Sequence, residues 1–282
     1  VVFEDKENNI IIKGDKLNYN ENKDLIFSES DTKINLEKKY KIDSNNVYFN
    51  RALNKIFSKK ETLIEDDKKN FYILKNNFNF DINDEIIKSK KSIILDNNFN
   101  KYIFEDLIIY LKNNEIVGKE IKVEFEDSYF GDFNNDPLLK GRGAYSNDKE
   151  LKVYKAVFST CSIEGKKCRG WELNTDEFNH NKKEKIFEYK NSWLKLFDYK
   201  VFFLPFFNHP DPTVKRKSGF LTPSYSTSES LGTSVNVPYF KTFGVDKDIT
   251  FNPRIYADKS FLLQNEYRQA LKNSNILSDF SF

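Results

Sequence analysis

Apolar and polar side chains alternate along most of the chain, the pattern of β-strands that have two unlike faces. In the first part this becomes a hairpin pattern: an apolar pair, a polar turn, and an apolar residue nine positions after the first member of the pair. Four copies start about 30 residues apart, at Leu17, Val47, Phe78 and Leu107. Because β-branched and aromatic residues are frequent in the copies, while Gly and Pro are nearly absent, the sequence predicts an all-β repeat.

A single hairpin cannot bury its apolar face, so the copies are predicted to stack as β-rungs in a V-shaped or jelly-roll trough. Two looser copies, from Ala144 and from Glu172, extend the stack. The predicted interior residues are Leu17, Tyr19, Phe27, Ile34, Leu36, Val47, Phe49, Ile56, Phe78, Phe80, Ile87, Leu107 and Ile109. They either form a packed core or line a trough that holds acyl chains, and periodicity alone does not choose between these alternatives.

A proline-rich stretch, HPDPTVKRK, interrupts the repeats. Pro210 and Pro212 fix φ and remove backbone donors, so this stretch is predicted to be rigid and extended. The predicted organisation is therefore a repeat domain at 1–208, a hinge at 209–217 and a different β-domain at 218–282.

In the last domain, segments of about ten residues alternate, as transmembrane β-strands do with one face toward lipid and one toward a lumen, and Leu262 and Asn265 are exceptions. They begin at Ser230, Asp248 and Ser260. A soluble β-sandwich with one wet face would show the same alternation. There is room for about five strands, fewer than the eight of the smallest bacterial barrels, so a membrane interpretation predicts a truncated antiparallel barrel. The absence of any Met likewise predicts a processed or excised piece of a longer protein.

Charge and composition exclude several functions. The 45 basic and 43 acidic residues give a net charge of +2, so nucleic acid is not an expected partner. The sequence has two His, no helix-borne catalytic motif and no Gly-rich phosphate loop, so we expect no enzyme activity and no cofactor. A structural or adhesive β-repeat surface protein is an alternative, because repeats alone fit that function equally well.

The cysteines and tryptophans give weaker signals. Cys161 and Cys168 are close enough in sequence for a local disulfide in an oxidising compartment. Bound zinc is not expected, because a site needs about four ligands and only two His are available elsewhere. Trp171 and Trp193 are predicted to be packing residues or interfacial anchors.

One family resemblance covers the segment from Thr160 to Phe240. The strings TCSIEGKKCRGWEL and FLPFFNHPDPTVKRKSGFLTPS, followed by PYF, resemble the LptD family of lipopolysaccharide-assembly outer-membrane proteins, also called the OstA/Imp family. The upstream repeats are similar to the periplasmic OstA module of that family. Most of the family's large barrel is absent from this sequence.

The resemblance implies transport without covalent chemistry. An OstA-like β-jelly-roll in the periplasm would receive lipopolysaccharide from a bridge protein of the same fold (LptA-like). It would pass the acyl chains to a barrel in the cell outer membrane that is plugged by a lipoprotein (LptE-like). The open strand edges of the first rung, from Asn9 to Phe27, are the expected docking edge for the bridge protein.

The resemblance also assigns roles around the junction. Pro223 and Pro238 would fall in the first two barrel strands and weaken pairing beside a lateral gate, although edge or bulge prolines without that role fit equally well. The basic residues Lys215–Lys217 would lie at the membrane boundary, either on anionic headgroups or solvated. Family disulfides that join the module to late barrel cysteines give Cys161 and Cys168 an alternative pairing.

Overall fold

The protein is built from β-strands, as a computed structural model shows for residues 1–6, 9–36, 39–126, 138–159, 171–196, 199–211, 213–214, 216–221, 224–228, 232–257 and 260–282. The strands in chain order are β1 (Val2–Asp5), β2 (Ile10–Asn20), β3 (Leu25–Leu36), β4 (Tyr40–Asn50), β5 (Lys55–Ser58), β6 (Thr62–Asp66), β7 (Phe71–Asp81), β8 (Ile86–Leu95), β9 (Lys101–Tyr110), β10 (Glu115–Glu124), β11 (Leu138–Ser146), β12 (Glu150–Ser159), β13 (Trp171–Asn181), β14 (Ile186–Leu196), β15 (Tyr199–Pro210), β16 (Gly219–Phe220), β17 (Ser224–Ser228), β18 (Gly232–Asn236), β19 (Tyr239–Thr242), β20 (Lys247–Tyr256), β21 (Phe261–Ala270) and β22 (Asn275–Ser281). One 3₁₀ turn, Glu21–Lys23, joins β2 to β3. The predicted all-β class is confirmed. Nowhere in these ranges does a helix have the length and apolarity needed to cross a bilayer.

The first fifteen strands form one antiparallel sheet whose strands follow chain order, with β5 and β6 sharing the position between β4 and β7. The apolar residues of its repeated hairpins lie opposite one another. These pairs are Tyr19 with Ile26, Phe49 with Ile56, Phe80 with Ile87, and Ile109 with Ile116. Because directly opposed residues share a face of the sheet, this register puts both apolar members of each pair on the same side.

Most long strands bend near their midpoints, at a residue with left-handed backbone. The bend residues are Ser30, Asn46, Asn77, Lys91, Glu120, Lys155 and Asn191. In β4, for example, the buried positions Ser44 and Val47 are three apart across Asn46 instead of two. A single sheet has nothing to cover its apolar face, so these bends fold the sheet onto itself as two facing walls.

The two walls enclose one continuous cluster of buried side chains, which extends along the chain from Ile10 to Tyr189. Many of the buried positions next to the bends are occupied by small residues, beside larger ones such as Val47, Phe78 and Ile121. The small ones within two positions of a bend residue are Ser28, Thr32, Ser44, Ser89, Ser92, Gly118, Ala156 and Ser192. Some of their buried hydroxyls pair with one another, as Ser28 does with Thr32 at 2.7 Å. Small side chains leave room for the walls to approach at the fold line.

The second sheet begins at Gly219 and occupies about five strand positions, the number that membrane-strand length predicts. β16 and β17 share the first position, β18 and β19 share the second, and β20, β21 and β22 follow. The register puts apolar residues on one face: Val235, Tyr239, Ile249, Phe251, Ile255, Phe261, Leu263, Tyr267 and Phe280. Thr250, Asn252, Arg254, Gln264, Glu266 and Arg268 lie on the other face.

Pro210 does not lie in a connecting segment, and its role as a hinge stays a prediction. Pro210 is the last residue of β15, where it lies opposite Ile186, and pairing continues through a 3.0 Å bond from the Asp211 amide to the Lys185 carbonyl. Proline is tolerated here because β15 is the last strand of its sheet and the missing N–H interrupts no ladder on the outer edge. Pro212 lies outside the described residues, and the three-part division at 208 and 217 stays a prediction.

Candidate functional site

A cavity of about 590 Å³ opens between the two walls of the first sheet, and most of the residues that line it are polar or charged. The apolar part of its lining, here called the floor, includes Ile94, Phe104, Ile109, Ile116 and Leu151, which β8, β9, β10 and β12 contribute. These strands bring the side chains together because the residues that face inward on adjacent strands stack across the sheet. The volume is within the range of roughly 300–1,000 Å³ that is common for ligand pockets.

A polar network, here called the rim network, joins the two walls beside this cavity. Lys39 Nζ donates to Asn114 Oδ1 at 3.3 Å, Asn114 Nδ2 donates to Asp148 Oδ2 at 3.4 Å, and Lys68 Nζ lies 2.7 Å from Asp148 Oδ1. The hydrogen bond from Lys68 lowers the pKa of Asp148, and Asp148 raises the pKa of Lys68. Because Lys68 and Asp148 are both exposed, the pair contributes at most about 1 kcal/mol. The walls are therefore held together only weakly at the rim.

The turns that enter the rim carry a repeated motif, D-x-x-x-N-x-Y. Asp66 accepts from the Lys68 and Asn70 amides through Oδ1, and from the Asn70 side chain and the Tyr72 hydroxyl through Oδ2. Asp96, Asn100 and Tyr102 repeat this geometry. Burial raises the pKa of Tyr72, and the Asp66 carboxylate adds to the effect. Our sequence analysis missed this motif, although its two copies are visible 30 residues apart.

The opposite side of the cavity carries the cation Lys182, which is held against the turn between β11 and β12. Lys182 Nζ donates to Ser146 Oγ at 3.0 Å and to the Asn147 carbonyl at 2.6 Å, and burial lowers its pKa. Nearby, His180 Nε2 lies 2.7 Å from Asp211 Oδ2. An apolar floor with charged groups of both signs at its rim suits an amphiphile whose chains enter the cavity and whose head stays outside.

Most of the predicted interior residues face inward and are buried. These are Ile34, Leu36, Val47, Phe49, Ile56, Phe78, Phe80, Ile87, Leu107 and Ile109, and Leu17 packs against them. Among them Ile109 lines the cavity, whereas the others fill the space between the walls. That they also line a lipid path stays a prediction.

Two of the predicted interior residues behave differently. Phe27 lies on the outer face, where its ring stacks on Tyr48 at 4.5 Å, because Ile26 faces inward and the next residue must face outward. That placement was therefore wrong. Tyr19 lies in register with the inward-facing Ile26 but is 54% exposed, since no described strand covers that half of β2.

The predicted gate proline Pro238 lies between β18 and β19, not inside a strand. Both strands pair with β20, and the pairing continues between them, since the Val237 amide donates to the Pro253 carbonyl at 3.3 Å. On the other side the Leu221 amide donates to the Pro238 carbonyl at 2.8 Å. Proline lacks the N–H that a continuous ladder needs. Pro223, Cys161, Cys168 and Lys215 lie outside the described residues.

The remaining predicted side chains contact protein. Arg216 lies 2.9 Å from Asp248, and Lys217 Nζ donates to the Glu184 carbonyl at 2.8 Å, so each cation has a protein partner. Their position at the membrane boundary stays a prediction. Trp171 packs edge-on against Phe158 with ring centroids 6.0 Å apart, and the half-exposed Trp193 contacts Phe203 at 5.1 Å.

Comparison with known proteins supports the resemblance found in the sequence. No protein-family model matches the chain. The chain is 33% identical over 128 residues to the LPS-assembly protein LptD of Nitrosococcus oceani, a segment that is 45% of this chain and 17% of that protein. It is 34% identical over 122 residues to LptD of Pseudoalteromonas translucida, covering 43% of this chain and 16% of that protein. LptD of Psychrobacter arcticus is 29% identical over 127 residues, covering 45% and 14%. The likeness to LptD is thus confirmed, and the chain spans 14–17% of the length of these relatives.

Proposed function

We propose that this chain takes part in lipopolysaccharide assembly, with the first sheet as a periplasmic module and the second sheet as part of a barrel in the outer membrane. The observation that carries this proposal is an apolar surface that continues from the inside of the first sheet onto one face of the second. Tyr189 and Phe207 have ring centroids 5.6 Å apart, Phe207 and Phe220 are 5.3 Å apart, and Phe220 and Tyr239 are 5.0 Å apart. The names of the LptD relatives supply the identity of the lipid.

In this proposal the cavity is where acyl chains first leave water. Each buried CH₂ group contributes about 0.8 kcal/mol, so a few chains supply ample binding energy without any specific polar contact. The sugar head stays at the rim, where charged groups of both signs offer hydrogen bonds. The rim network contributes little to stability, so the head can displace its exposed ion pair at little cost.

Transfer would follow the aromatic contacts toward the second sheet, whose apolar face would contact lipid and whose polar face would contact the lumen and a plug lipoprotein. The backbone donor that Pro238 lacks supports a lateral gate beside the first strands, because a missing ladder bond makes separation easier. Restoring a donor there, for example with Pro238→Val, is expected to lower the amount of surface lipopolysaccharide.

We limit the proposed docking edge for the bridge protein to the second half of β2. β1 already pairs with Ile10 to Lys13, whereas β2 from Asp15 to Asn20 has a described partner only in β3. Addition of a partner strand would use that second half. A photo-crosslinker at Asn18 is expected to trap the bridge protein, and one at the covered Ile11 is not.

Two adjacent residues of β10 test the central proposal. Ile116 lines the cavity, whereas Val117 is on the other face and 37% exposed. With a photo-reactive amino acid at each position in cells that make the full-length protein, we expect lipopolysaccharide adducts at 116 and not at 117. Equal labelling, or none at 116 in folded protein, would contradict the proposal. Absence of labelling would favour the structural or adhesive alternative, which the densely packed interior also fits.

A further inference from the structure

The two sheets meet in a packed contact at Gly219. This residue is buried, and a Cβ placed on it would be 2.5 Å from Cδ and 3.1 Å from Cγ of Pro210. The first distance is far shorter than van der Waals contact, and the proline ring at the end of β15 cannot rotate away. Only glycine therefore lets β16 approach the first sheet this closely.

Two adjacent cations hold opposite sides of this contact. Arg216 donates to the Val245 and Lys247 carbonyls and lies 2.9 Å from Asp248, so it holds the turn between β19 and β20. Lys217 donates instead to the Glu184 carbonyl, in the turn between β13 and β14. The short segment before β16 is thus fixed to both sheets at once.

A buried carboxylate reinforces the attachment to the second sheet. Asp248 is only 6% exposed, and Arg268 Nε donates to it at 2.7 Å from the side opposite Arg216. Loss of Arg216 or Arg268 would leave the buried Asp248 carboxylate with only one arginine partner, which is costly. Ser218 adds a further contact, since its Oγ accepts from the Thr242 amide at 3.0 Å.

This contact lies directly beside the row of aromatic rings formed by Tyr189, Phe207, Phe220 and Tyr239. Phe220, which bridges Phe207 and Tyr239, follows Gly219 immediately in the chain. A displacement of β16 by even the radius of one methyl group would therefore move Phe220 away from Phe207 and open the apolar surface to water.

We propose that Gly219, Arg216 and Asp248 are positioning residues for lipid transfer: they fix the angle between the two sheets so that their apolar surfaces join. The inference rests on the proposed function, because it concerns where the lipid goes after the cavity. It assigns the junction the role of a rigid coupling in place of a hinge.

The test uses Gly219→Ala in the full-length protein, with Gly143→Ala as the matched control. At Gly143 an added Cβ would meet only Tyr154 Cδ2, at an ordinary 3.8 Å. Photo-reactive residues at position 116 and at position 239 report lipid before and after the junction. We expect Gly219→Ala to keep labelling at 116 and to lower it at 239 on the order of tenfold, whereas Gly143→Ala changes neither.

The outcomes separate the two proposals. Wild-type labelling at 239 in Gly219→Ala overturns the positioning role. Absence of lipid at 116 in every variant, including the otherwise unchanged protein, overturns the proposed function instead.

A second variant covers the case in which Gly219→Ala does not fold. Arg216→Lys keeps the charge but loses the two-carbonyl clamp, so spin labels at Lys190 and Lys241, one on each sheet, are expected to show a broadened distance distribution. An unchanged distribution together with unchanged labelling at 239 would also overturn the positioning role. A merely destabilised protein would show fewer folded molecules with the original distance.

Discussion

At the scale of single residues, a half-buried histidine links the stability of the protein to pH. His209 Nδ1 lies 2.8 Å from the Pro210 carbonyl, which can only accept, so Nδ1 carries the proton and Nε2 accepts from the Tyr189 hydroxyl at 2.9 Å. Phe187 and Phe207 pack against the same ring. Burial lowers the pKa of His209 from 6.5 to about 4.

This environment gives a directional expectation. Between pH 6.5 and about 4 the unfolded chain binds a proton at His209 that the folded chain does not, so the free energy of unfolding falls as pH falls through that window. The loss is roughly 3 kcal/mol in total. In His209→Gln we expect this part of the slope to vanish, measured by urea unfolding at several pH values. An unchanged slope between pH 4 and 6.5 would show that His209 is protonated in the folded state.

The side of the sheet on which a side chain lies was predictable wherever the alternation is unbroken. The wrong predictions have a physical cause. Phe27 is apolar and adjacent to the inward-facing Ile26, so hydropathy alone does not reveal that it belongs to an outer aromatic stack. The sequence also does not reveal that position 219 requires glycine. The requirement comes from Pro210, nine residues earlier, which approaches position 219 only in the folded protein. The contacts of Arg216 and Asp248 are likewise set by tertiary structure.

At the scale of elements, the bends are what convert a flat sheet into two walls. Asn at a bend is foreseeable, because Asn tolerates left-handed backbone, and Asn46 also accepts from the Ser30 amide at 3.1 Å. Lys91, Glu120 and Lys155 have no such preference, yet each has φ near +50°. At these positions closure of the walls overrides local propensity, which is why the sequence predicted hairpins but no bends.

Two neighbouring lysines in β8 test the cost of a bend. Lys91 has φ of 51°, whereas Lys90 is not in the left-handed region, and both side chains are exposed. We expect Lys91→Gly to raise the free energy of unfolding by up to about 1 kcal/mol, because the left-handed strain disappears. Lys90→Gly should lower it by about 0.5–1 kcal/mol, the usual cost of glycine within a strand. Equal effects in urea unfolding would mean that position 91 bears no strain.

At the scale of the whole molecule, the two sheets differ in whether their apolar face is covered by protein. The first sheet covers its apolar face with its own other half, so its inward residues are nearly all buried. The second sheet leaves its apolar face uncovered within the described residues, and Phe251, Ile255 and Phe261 are each at least 36% exposed. Water does not favour such a surface, which is why a lipid environment is the natural complement.

The sequence predicted both patterns but not how they join. Alternation placed Asn265 and Leu262 as exceptions, and the register does set Asn265 among the apolar residues opposite Phe251. The joint itself depends on side chains that are far apart in sequence, such as Phe207 and Tyr239 on either side of Phe220. Periodicity carries no information about contacts of this kind.

Adjacent residues of β20 decide whether the uncovered face contacts lipid. Phe251 lies on the apolar face and Asn252 on the polar face of the same strand. If the apolar face contacts the bilayer, Phe251→Lys should destabilise the full-length protein in lipid vesicles by about 2–4 kcal/mol near the midplane, with less effect toward the interfaces. Asn252→Lys should change the stability little, because its side chain would point toward a polar lumen. The stabilities are compared by urea titration in vesicles, and a larger loss for Asn252→Lys would reverse the assignment of the two faces. Because both variants add the same charge at neighbouring positions, the difference between them isolates the side of the sheet on which the charge is placed.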